Sequence, residues 1–212
     1  MLKKGLLAFS LMFLFSAAAL SETVRPYIGF KGAISFVEAD FDLGYYNDYY
    51  YHHGHRYYEE YRYYDESNDA VFAGSAALGV KVTKYIRFEF EYTHRTEAKQ
   101  RYRWFPNIEQ TFDSYMANAI FDFEVNQNFV PYIGLGLGMT YVKNKIFYSD
   151  VKEELADNRF SAGMDLGMSF VLQRHLNLDF GFRIIYLGGM DIDYEDYYMY
   201  AMDLYCGIRY TI

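Results

Sequence analysis

The stretch YIRFEFEYTHR, residues 85–95, sorts its side chains into two classes at every second position. The apolar class is Ile86, Phe88, Phe90 and Tyr92. The polar or charged class is Arg87, Glu89, Glu91 and Thr93. Because successive side chains of a β-strand point to opposite faces, this period of two predicts a strand with one apolar and one charged face.

Eight segments of the chain alternate in this way, and each is at least as long as the roughly 9–11 residues that a tilted strand needs to cross a bilayer. An even number of antiparallel strands can close on itself and leave no unpaired edge, as a lipid environment demands. The connections between the segments alternate strictly in length. The short ones are 83–84, 126–128 and 173–175, and the long ones are 37–70, 96–109, 143–156 and 188–198.

Long links at one end and tight turns at the other are typical of barrels in an outer membrane. The sequence therefore predicts an all-β fold: an eight-stranded antiparallel up-and-down transmembrane β-barrel with long extracellular loops and short periplasmic turns. A soluble barrel or sandwich is the alternative, but it would place apolar residues inside and charges outside. Aromatic residues make up 21% of the chain, which favours a surface that faces lipid.

The N-terminal stretch, MLKKGLLAFSLMFLFSAAALSE, has two lysines, then an apolar run, then small residues. This is the order of a secretory signal peptide, and the apolar run is too short to span a bilayer as a helix. We predict a signal peptide over residues 1–21 and a barrel over residues 22–212. The predicted location is the outer membrane of a Gram-negative type of cell. Cys206 is the single cysteine, so an internal disulfide is excluded despite export.

The signal peptide, the eight alternating segments, the phrase PYIGLGLG at residues 131–138 and the end in Tyr210 and Ile212 resemble the small outer-membrane β-barrel superfamily. That superfamily includes the OmpA transmembrane domain, OmpX, Ail and the opacity-type surface proteins. The resemblance covers essentially all of residues 22–212 and implies a barrel closed by its own side chains. One departure is the last residue: such proteins commonly end in Phe, whereas this chain ends in Ile212, which predicts a weaker or different C-terminal assembly signal.

The polar face of the eight segments carries charges of both signs in nearly equal number. An eight-stranded barrel is just wide enough for side chains to fill it, so these charges should lie close together and be paired. The predicted ion-pair network in the lumen is Lys31, Lys81, Arg87, Glu89, Glu91, Asp122, Glu124, Arg159, Asp165, Asp179, Arg183, Asp203 and Arg209. Two interpretations stay open: a closed plug, or a narrow porin-like channel for small solutes in which Gly134, Gly136 and Gly138 leave space.

Charge and residue types narrow the function classes. The formal net charge is −8, and removing Lys3 and Lys4 with the signal peptide makes it −10, so a nucleic-acid partner is not expected. No serine is placed near a histidine in a pattern that suggests nucleophilic catalysis, so we predict no enzyme and no catalytic residues. No cofactor is expected. The predicted partners are outer-membrane lipid and, through the loops, extracellular proteins or glycans, with the barrel as a monomer.

The stretch YYNDYYYHHGHRYYEEYRYYDES, residues 45–67, lies in the longest connection and contains ten tyrosines. It has neither a helical nor a strand period, so it is predicted to be a surface loop. Tyrosine is favoured in binding loops because it offers a large, stiff contact surface with a hydroxyl group. The candidate adhesive residues, in this stretch and in the connection 188–198, are Tyr49, Tyr50, Tyr51, Tyr57, Tyr58, Tyr61, Tyr63, Tyr64, Tyr194, Tyr197 and Tyr198. A solvated, variable loop is the alternative.

The same stretch raises a metal hypothesis. His52, His53 and His55 stand near Asp48 and Glu59, and imidazole with carboxylate suits zinc, copper or nickel. Without a preformed second shell of hydrogen bonds such a site would bind weakly.

Overall fold

The structure is a computed structural model that describes residues 24–52, 55–100, 107–148, 151–192 and 195–212. Side chains are described over 24–38, 69–99, 109–145, 156–189 and 198–212. The predicted signal peptide, residues 1–21, lies outside the described residues. No helix in the described part of the chain is long and apolar enough to cross a membrane.

Eight antiparallel strands follow one another around a closed barrel, each paired with its neighbours in sequence. The first strand closes the ring by pairing with the last, from Tyr27↔Thr211 to Asp40↔Tyr198. The strands are β1 (Arg25–His52), β2 (His55–Lys81), β3 (Ile86–Gln100), β4 (Asn107–Asp122), β5 (Phe129–Tyr148), β6 (Val151–Gln173), β7 (Leu176–Ile192) and β8 (Glu195–Thr211).

The barrel has a polar interior and an apolar outer surface, the reverse of a water-soluble protein. In β3, Phe88 and Phe90 are each 51% exposed, whereas Arg87, Glu89 and Glu91 are buried inside the barrel. The same division runs through the described parts of the other strands, where large exposed apolar side chains alternate with buried polar ones. A barrel that buries its charges and exposes its aromatic side chains is suited to lipid rather than water, which confirms the predicted transmembrane barrel.

Short turns join the strands at one end of the barrel. After β2 the chain turns within residues 82–85, where the Thr83 hydroxyl oxygen accepts hydrogen bonds from the backbone N–H groups of Tyr85 and Ile86. The link between β6 and β7 is only residues 174–175. These turns lie at the positions predicted from the alternation.

The long connections differ from the prediction in their backbone. Residues 37–70 are not an irregular loop: the β1–β2 ladder continues from Val37↔Asp69 to His52↔His55, with one irregularity between Asp42 and Tyr45. The predicted loops 143–156 and 188–198 are likewise paired, up to Tyr148↔Val151 and Ile192↔Glu195. In the connection 96–109, the β3–β4 ladder reaches Gln100↔Ile108.

The difference arises because the alternation of apolar and polar side chains depends on the surroundings of a strand. Alternation marks a strand that separates a core from another environment, and a hairpin that extends beyond the barrel has no core to face. Tyrosine also favours extended backbone, so a tyrosine-rich stretch can pair without alternating. The extracellular position of these hairpins stays a prediction.

Two seams divide the upper end of the barrel, meaning the end that carries the long hairpins. The β2–β3 ladder stops at Ala73↔Arg95, and the β6–β7 ladder stops at Ala162↔Tyr186. Above these two points the strands continue as two separate four-stranded groups, β3 to β6 and β7 through β8 and β1 to β2.

Candidate functional site

The lower part of the lumen holds two arginine–aspartate pairs. Arg87 Nε lies 3.0 Å from Asp122 Oδ1, and Arg209 Nε lies 3.0 Å from Asp179 Oδ2. Arg209 also donates to the Ser169 hydroxyl, so both the cation and the anion are hydrogen-bonded more than once. Such pairs are tolerable away from water because each charge has a partner with good geometry.

The middle of the lumen is a cluster of five charges from four strands. Lys31 bridges Glu89, at 2.8 Å, and Glu91. Arg183 donates to both carboxylate oxygens of Glu91, and its Nε lies 2.5 Å from Asp165 Oδ1. Two cations therefore share three carboxylates, which connects β1, β3, β6 and β7 across the barrel.

Arg95 forms an upper polar layer that the sequence analysis missed. It is buried and donates to the hydroxyl oxygens of Ser35 and Ser114, and its Nη2 lies 2.6 Å from Asp203 Oδ2. Continuing the period of two from Arg87 by four steps would have placed Arg95 in the lumen.

A cluster of buried apolar side chains lies in the upper part of the lumen, above most of the polar layers. These buried residues occupy inward-facing positions of seven strands, so the interior of the barrel is apolar as well as polar. The apolar cap comprises Val37, Val71, Ala98, Phe112, Met116, Val142, Ile185, Leu187, Met199 and Ala201. Several of them stand where the sequence analysis placed connections, which is why the cap was not predicted.

Three inward-facing tyrosines each cover a glycine on the neighbouring strand. Tyr205 pairs with Gly181, and a Cβ atom built on Gly181 would lie 2.4 Å from the Tyr205 ring. Tyr27 with Gly79 and Tyr132 with Gly167 repeat this arrangement.

Each of the three tyrosine rings also lies beside a cation of the network. Arg87 lies 4.7 Å from the centroid of Tyr132, and Arg209 lies 5.3 Å from that of Tyr27. Lys31 and Arg183 lie 5.4 and 5.7 Å from that of Tyr205. The hydroxyl groups are also satisfied, since Tyr27 donates to Glu89 and the Tyr132 and Tyr205 oxygens are 2.8 Å apart. The tyrosines thus link the ion pairs to the barrel wall.

The remaining residues of the predicted network lie near the ends of the lumen. Lys81 is at the lower mouth, 3.5 Å from Asp122 and 3.8 Å from Glu124, and Glu124 is exposed. Arg159, at the upper end, is buried, but its nearest carboxylate among the described residues is Asp157 at 3.7 Å. This ion pair is longer than those of Arg87, Arg183 and Arg209.

The candidate binding tyrosines are only partly described. Tyr194 and His53 lie outside the described residues, and the side chains of the other candidates between 49 and 64, of His52 and His55, and of Tyr197 are not described. Tyr198 is exposed, and its ring lies 6.4 Å from that of Tyr186. Where side chains are described, no group of three or more potential metal ligands occurs. The metal hypothesis on the three histidines stays untested.

Two charged clusters lie on the outer surface near the upper end. Asp113 accepts hydrogen bonds from Tyr92 and His94, each at 2.7 Å. Further up, Lys145 Nζ lies 3.0 Å from Glu97. The hydrogen bond from Lys145 holds the pKa of the Glu97 carboxyl below its ordinary value.

The sequence profile of the family "Outer membrane protein beta-barrel domain" matches residues 6–208. No curated protein matches the chain. Among solved structures, the chain is similar to Neisserial surface protein A (TM-score 0.60, 19% identity, covering 90% of this chain and 100% of that one). It is also similar to the outer membrane protein OprG of Pseudomonas aeruginosa (TM-score 0.52, 13% identity, 90% and 97% covered). At these identities the similarity shows the fold alone.

Proposed function

The chain belongs to the outer-membrane protein β-barrel domain family, and from that premise we propose that it is a surface-interaction protein with an adhesin-like role. In this proposal the barrel is a closed mount in the outer membrane, and the tyrosine-rich hairpin of residues 37–70 binds extracellular proteins or glycans. The protein acts as a monomer and is not an enzyme.

The observation that carries the proposal is the length of the β1–β2 hairpin beyond the barrel. The β1–β8 ladder ends at Asp40 and the β2–β3 ladder at Ala73, whereas the β1–β2 ladder runs on to His52↔His55. A binding segment held by a rigid scaffold loses less conformational entropy on binding than a free loop does.

The composition of this hairpin supports a recognition role. Residues 37–70 contain nine Asp or Glu residues against Arg56 and Arg62, so the segment carries a net charge of 2 − 9 = −7. Aromatic rings and carboxylates together suit partners with exposed cations and sugar or apolar faces. Much of the negative charge of the chain is therefore concentrated where the proposed partner binds.

The test compares cells that display the full protein with cells that display a version lacking residues 45–67, at equal surface level, for attachment to a panel of proteins and glycans. We expect attachment to be lost. A matched variant, in which Tyr49, Tyr50, Tyr57 and Tyr58 are replaced by serine, keeps every charge and the hairpin length. Unchanged attachment in both variants would refute the proposal.

The alternative, a narrow channel for small solutes, finds less support in the lumen. The glycines that were to leave space are covered by neighbouring strands: a Cβ on Gly136 would lie 2.1 Å from the Asn118 side-chain oxygen, and one on Gly138 would lie 1.9 Å from the Tyr115 carbonyl oxygen. Together with the apolar cap, these contacts favour the closed plug.

A further inference from the structure

Arg159 differs from the arginines that carry the ion-pair network. Its side chain is 4% exposed, and its Nε and one terminal nitrogen, Nη2, have no hydrogen-bond partner in the part of the chain that the structure describes. Its only carboxylate contact among the described residues is the 3.7 Å approach to Asp157, a side chain that is itself 64% exposed. By contrast, Arg95, Arg183 and Arg209 each donate to a buried carboxylate at 3.0 Å or less.

Arg159 lies at the seam between β6 and β7. It is three residues beyond Ala162, where the β6–β7 ladder ends, and it stays paired on the other side with Thr140 of β5. Gly188 packs closely against the aliphatic part of the Arg159 side chain, because a Cβ on Gly188 would lie 2.3 Å from the Arg159 Cβ. Gly188 also has a positive φ of 101°, which belongs to the irregularity in the β7–β8 ladder. The arginine is therefore held in place by its carbon chain, while its guanidinium is short of acceptors.

The residues around Arg159 offer few free hydrogen-bond acceptors to its guanidinium group. Thr140 is already hydrogen-bonded to Ser114 and Ser161. Leu187 of β7 belongs to the apolar cap and offers no side-chain acceptor. A buried guanidinium with unsatisfied N–H groups is unfavourable, and an acceptor that arrived from outside would relieve that cost.

We propose that Arg159 is the anchor of an oxyanion-binding site at the upper mouth of the barrel. The group bound is a carboxylate or sulfate that presents two oxygens to the planar guanidinium fork. It enters along the β6–β7 seam, where the ladder between the described residues has already ended at Ala162, and it displaces the long contact to Asp157. The exposure of Asp157, the next inward-facing position along β6, shows that solvent reaches to within one step of the site.

This site is separate from the tyrosine-rich hairpin. An anion would be repelled by the acids of residues 37–70, so the two regions would take partners of opposite charge. If the test of adhesion through the hairpin fails, oxyanion binding at Arg159 is not refuted, and the reverse also holds.

The experiment follows the arginine Nε–H signals of the full mature chain, labelled with ¹⁵N-arginine and refolded in zwitterionic micelles. Sodium sulfate is titrated against sodium chloride at constant ionic strength. We expect a saturable shift of the Arg159 signal, with Arg95 unchanged because each of its three guanidinium nitrogens already donates a hydrogen bond. A second titration with a sulfated disaccharide tests whether the oxyanion is taken from a glycan: tighter binding than free sulfate means that it is, and equal binding means a site for free anions.

Two variants make the result decisive. Asp157→Asn removes the competing carboxylate and should tighten sulfate binding several-fold. Arg159→Lys keeps the charge but loses the fork, and should weaken sulfate binding. Because this variant lacks the Arg159 signal, its sulfate affinity is compared with that of the natural chain by isothermal titration calorimetry. The proposal is overturned if neither the natural chain nor Asp157→Asn shows a saturable Arg159 shift, or if Arg159→Lys binds sulfate as tightly as the natural chain.

Discussion

Arg183 on β7 and Glu91 on β3 meet across the barrel, where both terminal nitrogens of the arginine donate to the two oxygens of the carboxylate. The residues are 92 positions apart in sequence and lie on strands that do not pair with each other. The contact therefore joins opposite walls of the lumen. Lys31 and Asp165 complete the cluster from two further strands.

The first prediction concerns Glu91, which is fully buried between Lys31 and Arg183. Replacing it by alanine leaves the buried Arg183 and the part-buried Lys31 with fewer counter-charges, so we expect a loss of about 3–5 kcal/mol in the free energy of unfolding. The measurement is urea unfolding of the refolded barrel, followed by tyrosine and tryptophan fluorescence. Glu97→Gln at the exposed upper rim is the control and should change stability little. Equal effects of the two variants would mean that the central cluster does not stabilise the barrel.

The second prediction separates covered glycines from open ones. Gly181→Ala places a methyl group 2.4 Å from the Tyr205 ring, so the ring must leave its present position beside Arg183 and Lys31. Overpacking of this kind costs about 1–3 kcal/mol. Gly74→Ala is the matched control, because a Cβ there meets no atom of the described residues within 4 Å. If both variants unfold at the same urea concentration, Tyr205 does not pack on Gly181 as described.

These contacts also show which features of the structure could be predicted from the sequence. Period two places Arg87, Glu91 and Tyr205 on the inner face, because the side-chain direction of a strand is a local property. It does not say that Arg95 meets Asp203, 108 residues away, since partners across a barrel depend on register and shear. The strands of the hairpin over residues 37–70 could not be predicted in this way. They extend beyond the barrel, where there is no core, and side chains alternate only where a strand has a core on one side.

The third prediction is a pH dependence at the upper rim. The hydrogen bond from Lys145, together with Lys99, lowers the pKa of Glu97 below its ordinary value of 4.5. A carboxyl whose pKa is lower in the folded state adds stability above its ordinary pKa, and that stability is lost as the pH falls through the lowered value. We expect the stability difference between the natural chain and Glu97→Gln to be larger at about pH 6 than at about pH 3. A difference that stays constant over this range would contradict the assigned ion pair.

The last prediction concerns conduction and where the barrel is closed. Within the described residues, the ion-pair cluster of Lys31, Glu91 and Arg183 and the apolar cap around Phe112 and Val142 both belong to the barrel strands, not to the tip of the β1–β2 hairpin. We therefore expect no sustained conductance in planar bilayers from the natural chain, and none from the version lacking residues 45–67. A channel in the natural chain would establish the small-solute pore in place of the plug. A channel that appears only after the deletion would mean that the hairpin itself closes the lumen, and that its tyrosines act as a gate rather than as a surface for binding partners.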